Sequence, residues 1–416
     1  MKLFRKKEKP VFREIFLSDE NRKLRIILLC VFLGIAVVAI ATGLMDFLSV
    51  DPGWQEVECL SDGVNCSQDF TLQYYFADSG AAATAVQKDL TNLYTEAAHK
   101  AYWMFTPDAA DTENSNVYAI NHSPNEVVTV DPVLYDAFAL LQSYGSRNLY
   151  LGPVYQVYNN VFFSGDADQA TYWDPDLDAD SAAYVAELMG FIRDEEAVSL
   201  KLLGENKVML QVSDAYLAFA QENEIDTFID FHWMTNAFII DYFAQLMTQK
   251  GYTKGFIASY DGYTRNLNEG TDFSLNLFDK VGDTILPVGE MVYDKPISIV
   301  YLRSYPMSQQ DGNRWFVYED GSVTTSYVSP LDGMDQCASA QLVSYSYGSG
   351  CAQLLLEIAP VFIAGSFDTQ ALQTLAGEGV QSIWCSDSVI CHTDVQLILK
   401  DLLQDENYSY SSAHYQ

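Results

Sequence analysis

Residues 228–267 constrain the fold more than any other stretch, because their apolar spacing changes twice within one short run. Phe228, Ile229 and Phe231 form an apolar run that predicts a strand ending at His232. Ile239, Phe243, Leu246 and Met247 then recur at helical spacing, with Thr235 or Asn236 placed to cap the helix start. Lys250 and Gly251 end that helix, since a cation suits the negative end of the dipole and glycine takes the left-handed conformation of a helix stop. A second strand is expected over 256–259, closed by a turn at Asp261 and Gly262. A helix that starts directly after a strand offers unpaired amides to a phosphate.

Around this stretch strands and helices alternate. Strands are expected at 71–76, 127–130, 207–211, 293–301 and 315–318, and helices at 81–103, from Pro132 onward, at 181–193 and at 215–222. Mixed connection lengths and the absence of an internal repeat imply an α+β fold of mixed α/β layers in one domain. The acidic insert 166–180 has the alternate spacing of a calcium loop at Asp174, Asp176 and Asp178. It lacks the glycine and the final glutamate of such a loop, so it reads as a solvated loop capping the next helix.

The ends of the chain carry a different signal. Nine of the 23 basic residues fall in 1–25, whereas 26–45 has no charge. That pattern predicts a basic cytoplasmic segment, a single membrane anchor at 26–45 and an extracytoplasmic spacer at 46–69, with a cleaved signal peptide ending near Ala41 as the alternative. Six further cysteines lie in close pairs, Cys59 with Cys66, Cys337 with Cys351 and Cys385 with Cys391, as expected of disulfides outside the cell. The polar tail 404–416 reads as disordered. A net charge of −33 excludes nucleic acid as an ordinary partner, because such a surface repels phosphate backbones.

Asp230, followed by Met234, Thr235, Asn236, Ala237 and Phe238, with Asp241 and the Asp261–Gly262 turn beyond, resembles the D-x-G-G-I-A-K-G-Y-x-x-D segment and later glycine turn of the ApbE family, the FAD:protein FMN transferases. Blocks at 128–138, 151–158, 326–333 and 350–362 follow in the family's order, so the resemblance covers about 72–403. It implies a single ApbE-like domain over 70–403, with FAD as substrate. It also implies that FMN passes from FAD to a Ser or Thr of a partner protein, helped by Mg²⁺ held on oxygen ligands. By the same resemblance the catalytic positions fall at Asp230, Asn236, Ser326 and Ser329. The flavin would meet Gly152, Pro153 and Val154, then His232 and Trp233, then Asp261 and Gly262, and aromatic rings at Tyr155, Tyr158 and Phe163 could line it. The metal would take the Thr235 carbonyl and the side chains of Gln353 and Glu357.

Several of these positions depart from the family's pattern. His232 and Trp233 stand where it has two glycines, Asn236 stands for its lysine, and Ser326 and Ser329 for its His and Asp. Gln353 replaces a metal-binding aspartate, and Glu357, one helical turn on, restores a charge on the same face. The alternative implied by these changes is a non-catalytic ApbE-like module that binds a ligand or protein at the cell surface.

Overall fold

The structure is a computed structural model that describes residues 22–47, 50–60, 69–111, 115–270, 273–308 and 313–415. In chain order these carry α1 (Arg22–Phe47), β1 (Gly53–Glu56), β2 (Phe70–Phe76), α2 (Ala81–Phe105), α3 (Val117–Asn121), β3 (Val127–Thr129), α4 (Pro132–Ser143), α5 (Gly152–Phe162), α6 (Ala167–Trp173), α7 (Ala179–Ile192), β4 (Val198–Gly204), β5 (Lys207–Val212) and α8 (Asp214–Glu222). The second half adds α9 (Thr235–Gln249), β6 (Gly255–Ser259), β7 (Tyr263–Asn266), β8 (Phe273–Val281), β9 (Thr284–Tyr293), β10 (Ile297–Arg303), β11 (Trp315–Val317), β12 (Val323–Thr325), β13 (Gln341–Ser346), α10 (Cys351–Phe362), α11 (Thr369–Gly377), β14 (Gln381–Ser386), β15 (Val389–His392), β16 (Ile398–Lys400) and β17 (Ser411–His414).

Nine strands form one sheet in the order β1-β2-β6-β7-β10-β13-β14-β15-β17, antiparallel except for the parallel β15–β17 pair. The alternation of side chains along a strand divides the interior in two. On β10, Val300 and Leu302 enter the larger core beneath the helices, whereas Ile297, Ile299 and Tyr301 face a smaller core shared with β8 and β9. Helices α9 and α10 pack on the first of these faces, and α2 packs on α9.

One carboxylate joins these layers. Asp241, inside α9, accepts hydrogen bonds from Cys351 N and Ala352 N, each at 2.9 Å, so it satisfies the first amides of α10 in place of a cap from α10's own sequence. Arg265 on β7 lies 3.4 Å from the same group.

Most of the expected local elements form, but the strand expected at 293–301 is broken at 294–296, where Pro296 precedes β10, so Tyr293 ends β9 and Ile297 starts β10. Residues 228–231 do not pair as a strand. Their backbone is held by a side chain instead, because Asn121 Oδ1 accepts from Phe228 N and Ile229 N while its Nδ2 donates to Ile229 O. Thr235 and Asn236 do not cap α9; they are its first residues, and the position before them is Met234. Asp174 is not solvated: it is buried and accepts from Tyr318 OH at 2.7 Å and Thr324 Oγ1 at 2.5 Å. Within 404–416, expected to be disordered, Tyr410 is buried and β17 extends the main sheet.

The expected membrane anchor is also corrected. No helix among the described residues is long and apolar enough to cross a membrane. The single-pass arrangement with a cytoplasmic N-terminus falls with it.

The expected disulfides are absent among the described residues, where Cys337, Cys351, Cys385 and Cys391 are free. Cys391 pairs in register with Trp384 and Cys385 with Ile390, so the two cysteines point to opposite faces of the sheet and into different cores. Cys351 begins α10, whereas Ala338, beside Cys337, bonds to Phe362 at its other end, about 17 Å away along the helix. Cys59 is free and Cys66 lies outside the described residues.

Two outcomes are expected. Alkylation of the unfolded chain without reductant should label Cys337, Cys351, Cys385 and Cys391, which peptide mapping reads directly; protection of Cys385 and Cys391 would contradict the strand register, and protection of Cys337 and Cys351 their placement at opposite ends of α10. Asp241→Ala should lower stability by about 1–2 kcal/mol in denaturant unfolding, the usual effect of removing a helix cap.

Candidate ligand cavity

The start of α9 opens into a cavity of about 350 Å³. Six of the sequence-derived positions meet there: Phe163, Asp230, His232, Trp233, Thr235 and Asn236. The opposite wall comes from the end of α2 and the turn beyond it, with Tyr102, Phe105 and Asp108, and from Asn159 and Phe163 at the end of α5. Asp69 and Arg314 complete it.

The backbone at this point is unusual. His232 has φ of 45°, a left-handed conformation that a non-glycine side chain adopts at a cost. Two contacts stabilise it: His232 N donates to Asp230 Oδ1 at 2.8 Å, and the imidazole stacks on Tyr155 with ring centroids 4.2 Å apart and 8° between planes. Trp233 turns into the core, where its Nε1 donates to Tyr155 OH at 3.2 Å and its ring meets Tyr327 edge-on. Both bulky residues are thus accommodated by packing against the helix that starts at Gly152.

Gly152, Pro153 and Val154 themselves form the buried first turn of α5 and do not line the cavity. Glycine is required at 152 by close approach, since a Cβ there would lie 2.7 Å from Thr227 O. Tyr155 and Tyr158 are fully buried, whereas Phe163 is exposed and lines the cavity.

Beneath Asn236 lies a buried ion pair. Arg314 Nη1 is 2.5 Å from Asp261 Oδ2, and Asn236 Nδ2 donates to the same oxygen at 3.0 Å. Gly262, next in the turn, has φ of 103°, and a Cβ there would lie 2.3 Å from Tyr301 O. Sequence reading missed Arg314, Asp69, Asp108 and Asn159, because none sits near 228–267 in the chain.

The remaining sequence-derived positions lie elsewhere. Ser326 is completely buried, its N donating to Arg314 O at 2.9 Å and its Oγ without a partner. Ser329 Oγ accepts from Leu331 N within a turn. Gln353 and Glu357 do share a face of α10, but they face each other and α4: Gln353 Nε2 donates to Glu357 Oε1 at 3.0 Å, and Tyr144 OH donates to that oxygen at 2.7 Å. Of the three expected metal ligands only Thr235 is at the cavity. Among the described residues no group of three or more His, Cys, Asp or Glu side chains is placed to hold a metal ion. The residues present do not fit a magnesium site.

Electrostatics in the cavity are dominated by desolvation. Burial raises Asp230 to about 7, opposed by the His232 amide and assisted by Asp108. Burial likewise raises Asp69 to about 6, with Arg314 opposing and Asp261 assisting. His232 is lowered to about 3, first by burial and then by Arg314, so it is neutral at physiological pH. In the tautomer that its contact with Asn159 Oδ1 requires, Nε2 donates and Nδ1 remains a bare acceptor.

No protein-family model matches the sequence, and no curated protein matches it. Solved structures do match: the ApbE protein of Thermotoga maritima, with a TM-score of 0.54 and 14% identity over 79% of this chain and 93% of that one, and the flavin transferase ApbE of Vibrio cholerae, with a TM-score of 0.53 and 10% identity over 84% and 97%. The chain therefore has an ApbE-like fold of mixed α and β structure. At these identities the likeness concerns the fold alone.

The pKa shifts fix a pH dependence. A carboxyl raised in the folded state stabilises that state fully at a pH below its unfolded value, and the contribution is lost as pH rises to the folded value. Asp69 thus loses its contribution between about 4 and 6, and Asp230 between about 4 and 7. Asp335, raised by burial to about 7, behaves as Asp230 does. His232 acts in the opposite sense, losing stability as pH falls from about 6.5 towards 3. The carboxyls outnumber it, so unfolding free energy should fall as pH rises from 5 to 7. Asp230→Asn should make that fall shallower, removing a term on the order of 2–4 kcal/mol; an unchanged slope would contradict the assigned protonation.

Proposed function

We propose that this protein is a ligand-binding descendant of the flavin-transferase fold, taking a flat, uncharged aromatic ligand of the riboflavin type rather than carrying out magnesium-dependent FMN transfer. The observation that carries this reading is that Gln353 and Glu357 bond to each other and to Tyr144 through Glu357 Oε1 and do not line the cavity at Thr235. A divalent ion at the Thr235 carbonyl would lack both of its helix ligands, and phosphoryl transfer depends on such an ion to offset the charge on the transferred group.

The cavity's own charge supports the same choice. Its one cation, Arg314, is already neutralised by Asp261, whereas Asp69, Asp108 and Asp230 remain around it. A pyrophosphate would face these carboxyls with no free positive charge among the described lining residues. Its volume of about 350 Å³ lies at the small end of the range for ligand pockets, about 300–1,000 Å³, which suits one ring system better than a dinucleotide. Tyr102, Phe105 and Phe163 offer the aromatic faces, and Asn159 and Thr235 offer polar edges.

Fluorescence titration of the full chain with riboflavin, FMN and FAD, with and without MgCl₂, tests this directly. Riboflavin should bind at least about tenfold more tightly than FAD, Phe163→Ala should weaken it, and no AMP should be released. Magnesium-dependent release of AMP with flavin appearing on a Ser or Thr of another protein would establish the transferase instead.

A further inference from the structure

A second pocket, of about 160 Å³, lies between the end of α4 and β4. Arg147, in the turn after α4, projects beside it with its guanidinium 4.3 Å from the Tyr150 ring centroid. The Arg147 Nη2 group donates to the Ile192 carbonyl and to Val198 O at 3.3 Å, which anchors the side chain. Its Nε–H is buried with no acceptor. Among the described residues no carboxylate lies within ion-pair distance of this guanidinium.

Three further groups converge on the same space. Ser199 on β4 is 7% exposed, lines the pocket, and has a buried Oγ without a partner. Lys201, two residues along the strand, shares its face, and the Ser146 hydroxyl stands at the opposite side. The strand is held in place because Leu200 N donates to Tyr150 OH at 2.9 Å. Glu195 lies at the rim and is exposed, where water and salt screen it.

A buried guanidinium N–H and a buried hydroxyl left unsatisfied are costly, and an acceptor brought against them relieves that cost. An oxyanion does so best. Arginine keeps a permanent charge and leaves its Nη1 and Nε donors, lysine adds a mobile charge and serine a directed donor. We propose that this pocket binds a small phosphate-bearing anion, either inorganic phosphate or a small phosphate ester. Such a site is a local exception in a chain of net charge −33, whose overall field weakens anion binding and makes the fixed donors necessary.

Calorimetric titration of the full chain with sodium phosphate, against sodium chloride at matched ionic strength, tests it. Saturable heat with phosphate alone is expected. Ser199→Ala should weaken binding by roughly threefold and Lys201→Glu by at least about tenfold, while circular dichroism stays unchanged. Arg147→Lys, which keeps the charge but loses the planar donors and their anchoring to Ile192 O and Val198 O, should also weaken binding by about tenfold. A titration with glycerol phosphate separates the sources: tighter binding than inorganic phosphate supports the ester, and weaker binding supports the free ion. No saturable heat with either, or an affinity that Lys201→Glu leaves unchanged, overturns the proposal.

Discussion

The buried pair between Asp261 and Arg314 is the interaction on which the cavity depends. It joins the turn between β6 and β7 to the segment leading into β11, and Asn236 ties the first turn of α9 to the same carboxylate oxygen. Breaking a pair of this kind by removing one partner typically costs about 3–5 kcal/mol, because the other charge is then stranded in the interior. The field of Arg314 also reaches His232 and Asp69, so the protonation of the cavity follows from where this one cation is held.

Around that pair, packing sets the shape of the cavity. Two bulky aromatic side chains at 232 and 233 could have closed the region. They are absorbed instead, one by stacking on Tyr155 and the other by burial against Tyr327, at the cost of a left-handed backbone at His232. The void that remains is bounded by α2 and Phe163, and among its described lining residues the carboxyls of Asp69, Asp108 and Asp230 outnumber the one guanidinium of Arg314.

The helix α10 illustrates the limit of reading a face from spacing. Gln353 and Glu357 are four residues apart and do lie on one face, as helical geometry requires. Spacing says nothing about what that face meets, and here it meets Tyr144 at the end of α4. The cysteines make the same point: proximity in sequence put Cys385 beside Cys391, but strand register sends their side chains to opposite sides of the sheet.

What the sequence by itself determined was local. The periodicities marked α9 and β6, Pro132 marked the start of α4, and the family's order of motifs led to an ApbE-like α+β fold, because these signals depend on neighbours within a few residues. Only tertiary structure decided which side chains share the cavity. Asp69, Asp108, Asn159, Asp230 and Arg314 come from separate parts of the chain, and it is burial in common that shifts the Asp230 carboxyl towards neutrality. Tertiary structure likewise gave residues 228–231 the Asn121 side chain as their partner and gave the tail a strand beside β15. Backbone groups must be satisfied by whatever lies next to them in space, and no local pattern records that neighbour.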